Sequence, residues 1–251
     1  MRIPLIPSRL KEGLVGRYAN EETEPIYDRY PSGYTAPKPI PEQVEILREL
    51  FPQLASASVD ESFARVELPA GAEGYFAIPR WQIFAPTYCE PLWIVLDAVK
   101  KDRGDKFSVR LKGGRHIAPQ YLRQHFKTVE AFQKLEELQP GCDIHVVACQ
   151  FGLEHIGRSI RRAREVMLKT EFGLGAFAAG MMLLTHPERI GPLDDFALGC
   201  SGDEFISEDG SSFNDFLYFW RFEEDWDLWI TDSPDDYPHP WLSTASGFFS
   251  Q

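Results

Sequence analysis

Apolar side chains form an almost unbroken run from Cys142 to Phe151, near the middle of the chain. They occupy both alternating sets of positions, which is typical of a strand covered on both faces. Residues 176–186 are apolar nearly all round and end before Pro187, so they predict a buried helix. Small residues such as Gly180 would let a neighbouring element approach that helix closely.

Weaker periodicities predict the elements around this centre. Helical spacing of apolar residues indicates five further helices: 41–51, 91–103, 118–126, 128–138 and 160–167. Alternation of apolar and polar residues predicts a strand at 63–68, paired in a hairpin with 74–78. The clearest predicted hairpin joins 216–222 to 226–230.

These elements predict an α+β fold with three compositional regions. Residues 1–40 are rich in proline and tyrosine without a sustained period, and we interpret them as an extended N-terminal arm. Residues 41–193 predict a mixed α/β body with a buried central strand and an apolar helix. Residues 194–251 predict an acidic, aromatic-rich antiparallel β portion packed on that body, so that the whole chain forms one compact unit.

The charge of the chain is concentrated in the last of these regions. The formal net charge is -12, and 14 of the 38 acidic residues lie from Asp194 onward beside a single base, Arg221. Disordered acidic tails have low hydrophobicity, whereas this region contains many aromatic residues. The composition therefore predicts that the acidic region folds.

Acidic and aromatic residues together favour a binding role as the leading hypothesis. Aromatic side chains supply contact area, and negative charge attracts a basic partner. We therefore expect a non-enzymatic interaction protein whose partner is another protein. The predicted partner-binding residues are Trp226, Trp229, Asp235, Asp236 and Trp241.

The segment between the central strand and the next helix supports an alternative hypothesis. From Gly152 to Ser159 it matches the phosphate-binding pattern G-x-x-x-x-G-K-[ST], except that arginine replaces lysine. An enzyme could bind a nucleotide or another phosphorylated ligand there. The candidate anion-binding residues are Gly152, Gly157, Arg158, Ser159, Arg161 and Arg162. Glu154 counts against this hypothesis because it places a carboxylate beside the phosphates, and a plain strand-to-helix connection is the preferred interpretation.

A third hypothesis is nucleic-acid binding through the cationic face from Arg158 to Arg164. Arginines at helical spacing can contact backbone phosphates. The net charge opposes this hypothesis because a polyanion is repelled at long range. Pairing of these arginines with Glu154, with Glu165 or with the acidic C-terminal region is the competing explanation.

The remaining candidate chemistry is weaker, and we expect no metal and no cofactor. Cys142, His145 and Cys149 lie in one short span, but along a strand His145 and Cys149 are roughly 13 Å apart, too far for one zinc ion. Cys149 could act as a nucleophile with His155 as its base, although a packed thiol is favoured.

The sequence also indicates where the protein acts. The N-terminal residues lack an apolar segment of signal length, and no apolar run approaches the ~18 residues that a membrane span needs. The four cysteines are too scattered to predict a disulfide framework. We therefore expect a cytoplasmic protein that does not cross a membrane.

Overall fold

A computed structural model describes residues 15–190, 197–221 and 227–249, which form five α-helices and two β-sheets. The helices are α1 (Ile40–Leu50), α2 (Cys89–Arg103), α3 (Phe126–Leu138), α4 (Ile160–Val166) and α5 (Ala176–Thr185). The strands are β1 (Gly74–Pro79), β2 (Phe107–Val109), β3 (Leu122–Gln124), β4 (Ile144–Gln150), β5 (Glu171–Gly173), β6 (Ala197–Gly199), β7 (Asp203–Phe205), β8 (Asp215–Arg221), β9 (Leu228–Pro234), β10 (Leu242–Thr244) and β11 (Ser246–Phe248). This architecture confirms the predicted α+β fold class.

The first sheet has the strand order β1-β4-β11-β5, and its neighbouring strands run antiparallel. All seven residues of β4 are buried. The apolar run between Cys142 and Phe151 is therefore a central strand covered on both faces, as its pattern predicted.

Every residue of α5 is buried, as its all-round apolar pattern predicted. Gly180 faces α2, where an added Cβ atom would lie 2.5 Å from Cγ1 of Val95. The small residue therefore allows the two helices to pack closely. In the part of the chain that the structure describes, no helix is both long and apolar enough to cross a lipid bilayer.

The second sheet is built around β8. Seven residue pairs join β8 to β9 in antiparallel register, from Asp215 with Pro234 to Arg221 with Leu228. This pairing confirms the predicted C-terminal hairpin, and its predicted connection, residues 223–225, lies outside the described residues. β8 also pairs antiparallel with β6 and β7. Three further strands complete the sheet. β10 pairs parallel with β6, β2 pairs parallel with β9, and β3 pairs antiparallel with β7.

The chain passes from one sheet to the other at Ala245. β10 ends one residue before Ala245 in the second sheet, and β11 begins one residue after it in the first. The N–H of Ala245 donates to the carbonyl of Gly199, and its carbonyl accepts from the N–H of Leu174. The acidic C-terminal region thus supplies β11, an inner strand of the first sheet. Conversely, β2 and β3, which lie within residues 41–193, belong to the second sheet.

Two sequence predictions are wrong. Residues 63–68 do not form a strand, because Glu61–Arg65 form a 3-10 helix that begins with Asp60 accepting from the N–H of Ser62. The strand β1 pairs with β4 instead. Residues 118–126 do not form a helix, because Leu122–Gln124 pair with Asp203–Phe205 as β3 and β7.

Candidate functional site

The predicted phosphate-binding loop connects β4 to α4. Leu153–His155 form one 3-10 turn, and Gly152 and Gly157 flank it with φ angles of +124° and +82°. L side chains rarely adopt this backbone conformation, so the two glycines determine the course of the connection.

Four backbone N–H groups of this loop donate to acceptors outside it, and three others donate to carbonyls within it. The four pairs with outside acceptors are Gly152 with the Gln150 side chain, Leu153 with the Tyr30 hydroxyl, Gly157 with the Leu242 carbonyl, and Ser159 with the Glu21 carbonyl. A phosphate-binding loop instead directs several N–H groups at one anion. The geometry therefore favours a connecting role, and phosphate binding stays a hypothesis.

Four arginines around α4 form what we call the arginine cluster: Arg158, Arg161, Arg162 and Arg164. Two of them contact the N-terminal arm through Glu22. Its Oε1 atom lies 2.6 Å from Nε of Arg162 and 3.4 Å from Nε of Arg158. Arg162 also pairs with Glu165 at 2.7 Å. This side of the cluster therefore holds the arm against α4.

Of the other two arginines, Arg161 links the arm to the C-terminal region, and Arg164 contacts the C-terminal region. Arg161 Nε donates to the two carboxylate oxygens of Glu21 at 2.9 and 2.7 Å, and its guanidinium lies 3.8 Å from Asp236. Arg164 lies 3.5 Å from Asp235. The cluster is therefore bound to acidic residues of the same chain, which is the competing explanation for the cationic face.

Burial raises and the arginines lower the pKa of both Glu21 and Asp235, and the net direction differs between the two carboxyl groups. Burial alone would raise the pKa of Glu21, but hydrogen bonds from Arg161 and Ser159 outweigh it and hold the pKa below its usual value. For Asp235, burial dominates over Arg164 and Arg161 and raises the pKa to about 6. Hydrogen bonding therefore dominates at Glu21, whereas burial dominates at Asp235.

His155 and Cys149 do not approach each other as a base and a nucleophile would. His155 Nε2 lies 2.7 Å from Oε1 of Glu171, and Nδ1 lies 3.1 Å from an Arg158 nitrogen. The Cys149 thiol is fully buried and directed at the carbonyl of Val147. Burial raises the pKa of this thiol, with Glu73 adding to the effect. These contacts favour a packed thiol.

Five side chains of the second sheet and the following loop form what we call the aromatic stack: Tyr237, His239, Trp241, Trp220 and Trp229. The rings follow one another at centroid distances of 5.1, 4.1, 5.3 and 6.3 Å. Trp220 and Trp241 are almost parallel, with an interplanar angle of 3°. At one end, the guanidinium carbon of Arg110 lies 3.8 Å from the centroid of Trp229. At the other end Tyr237 is 61% exposed.

Among the described residues, arginines of the body pair with five of the 14 acidic residues of the C-terminal region. Arg115 contacts Asp215 and Asp232, and Arg123 contacts Glu204 at 2.6 Å. Asp235 and Asp236 contact the arginine cluster as described above. The charge separation seen along the sequence is therefore matched only in part within the described residues, and Asp236, whose side chain is 52% exposed, is one acid that still faces solvent.

The structure brings together only some of the predicted partner-binding residues. Trp229 and Trp241 lie in one stack through Trp220, whereas Asp235 is directed at Arg164. Trp226 lies outside the described residues. Sequence reasoning missed Tyr237 and His239, although the alternate spacing of residues 237, 239 and 241 is a signal that their side chains share one face.

Compared with models of protein families, with curated proteins and with solved structures, the chain matches none of them.

Proposed function

We propose that this protein is a non-enzymatic binding protein that recognises a basic protein partner at the exposed end of the aromatic stack. The partner would place an arginine side chain on the ring of Tyr237, with Asp236 supplying negative charge beside it. This proposal narrows the predicted acidic, aromatic interface to its exposed part.

The contact between Arg110 and Trp229 is the observation that carries the proposal. It places a guanidinium 3.8 Å from the ring centroid at one end of the stack. A cation over an aromatic face gains about 0.5–1 kcal/mol at an exposed site and more when water is excluded. Tyr237, at 61% exposure, offers an exposed aromatic ring at the opposite end.

The two alternative functions have less support from the geometry. Phosphate binding between Gly152 and Ser159 would require N–H groups that now donate to other acceptors in the chain to turn toward a ligand. Nucleic-acid binding would require the arginine cluster to leave Glu21, Glu22 and Asp235. Both stay hypotheses, and so does the expected cytoplasmic location.

Two peptides of equal charge test the proposal, one containing spaced arginines and the other lysines in the same positions. We expect the arginine peptide to bind more tightly, because a planar guanidinium stacks on a ring better than an ammonium group does. Tyr237→Ala should remove this preference and lower the affinity for the arginine peptide about two- to fivefold. Tryptophan fluorescence and calorimetric titration at low salt would measure both affinities.

Phe126→Ala is the matched control because Phe126 is also 61% exposed, but on α3. This variant should keep the arginine preference. Equal binding of the two peptides by the unmodified protein would overturn the proposal, as would an unchanged preference in Tyr237→Ala.

A further inference from the structure

The N-terminal arm lies across the arginine cluster in the manner of a short added strand. The N–H of Thr23 donates to the carbonyl of Gly157 at 2.8 Å. The N–H and the hydroxyl of Ser159 donate to the carbonyl and the carboxylate of Glu21, at 3.1 and 2.7 Å. The two backbone bonds form an antiparallel bridge centred on Glu22 of the arm. Pairing of an extended segment with the backbone of a folded domain is a common mode of peptide recognition.

Two adjacent carboxylates of the arm supply the ionic part of this contact. Glu21 accepts from Nε of Arg161 at 2.9 and 2.7 Å. Glu22 lies 2.6 Å from Nε of Arg162 and 3.4 Å from Nε of Arg158. Hydrogen bonds between a guanidinium and a carboxylate are about twice as strong as neutral ones and more specific in geometry. Three guanidinium groups therefore recognise one pair of neighbouring acidic residues.

The arm segment from residue 15 to residue 26 is attached mainly by these polar contacts. Its apolar side chains all remain in contact with solvent, and Val15 and Ile26 are 83% and 52% exposed. Burial of large apolar side chains begins further along the arm, at Tyr30 and Tyr34. Ionic contacts at a surface are weakened by salt and by competing ions. The segment can therefore leave the cluster while the rest of the arm stays anchored in the core.

Arg161 is the arginine of the cluster that depends most on the arm. Its other acidic contact, with Asp236 at 3.8 Å, is long and involves a side chain that is 52% exposed. Arg162 instead has Glu165 as a second partner at 2.7 Å. The side chain of Arg161 is 34% exposed, more than those of the other three arginines. An acidic group of another molecule would therefore compete with the arm first at Arg161.

We propose that the arginine cluster and the backbone of residues 157–159 form a groove for an acidic peptide segment of a partner protein, and that the arm occupies this groove as an intramolecular competitor. The partner's segment would be extended, with two adjacent carboxylates, and would replace residues 15–26. Tethering gives the arm an effective concentration in the mM range, so the groove opens to a partner only when the arm is displaced or weakened.

A peptide suits this groove better than a phosphorylated small molecule does, because only a peptide can replace the two backbone hydrogen bonds that the arm makes. The net charge of the chain opposes an acidic ligand at long range. At physiological ionic strength this repulsion is largely screened beyond about 8 Å, whereas the ionic contacts of the arm with the cluster lie within 4 Å. The groove adjoins the proposed partner-binding surface at Asp236, but it does not depend on that function.

Three labelled peptides test the groove by fluorescence anisotropy at low salt. The first has the sequence of residues 17–26, the second has glutamine in place of both adjacent glutamates, and the third places two adjacent glutamates in an unrelated sequence. In the full chain, Glu21→Gln combined with Glu22→Gln weakens the hold of the arm. This double variant should bind both acidic peptides at least about tenfold more tightly than the unmodified protein does, and it should not bind the glutamine peptide.

Glu24→Gln combined with Asp28→Asn is the matched control, because it removes two negative charges from exposed positions of the same arm. It should bind the peptides no more tightly than the unmodified protein does. Adding Arg161→Gln to the Glu21 and Glu22 double variant should abolish the gain in affinity, because the anchoring guanidinium is lost.

Hydrogen exchange of the unmodified protein provides a second measurement that does not require the variants to fold. An excess of the first peptide at several mM should speed exchange at the N–H of Thr23, which the arm loses from its bridge, and leave that of Gln43 in α1 unchanged. Unchanged exchange at Thr23 would overturn the proposal. Equal binding by the double variant and its control, or binding of the first peptide alone, would overturn it too, as would tighter binding of inorganic pyrophosphate than of either acidic peptide.

Discussion

Gln139 and Val146 exchange two hydrogen bonds of 2.9 Å, one in each direction. The side-chain amide of Gln139 donates to the carbonyl of Val146 and accepts from its N–H group. The neighbouring strand β11 pairs with residues 148–150 of β4 and does not extend to Val146. The Gln139 side chain therefore makes the hydrogen bonds with Val146 that a neighbouring strand would otherwise make. Gln43 plays a similar role at β1, where its side-chain amide donates to the carbonyl of Tyr75 and accepts from the N–H of Ala77.

Replacing Gln139 with leucine should destabilise the fold by about 2–4 kcal/mol, because two buried backbone groups of Val146 lose their partners. Gln133→Leu is the control, since it makes the same change at an exposed position of α3. Chemical denaturation of both variants measures the difference. A loss below about 1 kcal/mol for Gln139→Leu would mean that water replaces the amide.

Gly157 has a structural role that can be separated from phosphate binding. An added Cβ atom would lie 2.4 Å from the carbonyl oxygen of Thr23, in the arm segment whose N–H donates to Gly157. Gly157→Ala should therefore destabilise the fold and release this part of the arm. Urea denaturation and proteolysis of the arm are the two measurements.

Gly33→Ala is the matched control because Gly33 has a φ angle of +80°, close to the +82° of Gly157, and nothing lies within 4 Å of its added Cβ atom. The control should cost only about 1–2 kcal/mol, from the positive φ angle. Equal losses in the two variants would show that the contact with Thr23 is unimportant.

The sequence predicted the elements with long, regular patterns and missed those that depend on distant pairing. β4 and α5 were recognisable because their apolar character extends over several consecutive residues. β3 has three residues, and its conformation is determined by pairing with β7, about 80 positions later. The insertion of β11 into the first sheet depends on contacts with β4 and β5 that no local pattern contains.

The same distinction applies to the candidate sites. Trp229 and Trp241 were selected from composition, and they do lie in one stack. One end of the stack is covered by Arg110, whereas Tyr237 at the other end is exposed. Arg110 lies more than 100 positions before Trp229 in the sequence, so no local pattern predicts this contact. The sequence pattern indicates His145 only as a possible metal ligand. That its ring nitrogens have no hydrogen-bond partner among the described residues is evident only from the three-dimensional arrangement of its neighbours.

Arg115 should be far more important for stability than Arg123, although each pairs with acids of the C-terminal region. The side chains of Arg115, Asp215 and Asp232 are 5%, 7% and 0% exposed, whereas that of Arg123 is 57% exposed. Arg115→Met leaves two buried carboxyl groups without their cation, which should cost about 3–5 kcal/mol. Arg123→Met should cost about 0–1 kcal/mol.

Denaturant titrations of the two methionine variants at neutral pH test this difference. Methionine preserves much of the apolar volume in both. In Arg115→Met the carbonyls of Lys112 and Ile206 also lose a donor, which adds to the expected loss. Similar stability of the two variants would contradict the assignment of Arg115 as a buried counterion.

His186 should make the fold sensitive to acid. Its Nε2 atom accepts from the N–H of Lys38 at 2.9 Å and thereby fixes the end of the N-terminal arm. Burial, with a smaller contribution from the Lys38 ammonium group, lowers the pKa of His186 to about 4. As the pH falls below about 6.5, His186 becomes protonated in the unfolded chain but stays neutral in the native state. The free energy of unfolding therefore decreases.

Buried acids act in the opposite direction, so His186 must be tested by comparison with a variant. Burial raises the pKa of Glu73 and Asp203 to about 7, and these groups weaken the fold as the pH rises. In His186→Gln the amide oxygen can still accept from Lys38 but does not titrate. Between pH 7 and 4.5 the variant should gain about 2 kcal/mol relative to the unmodified protein. Parallel stability curves, or an NMR titration of His186 with a pKa near 6.5, would contradict this mechanism.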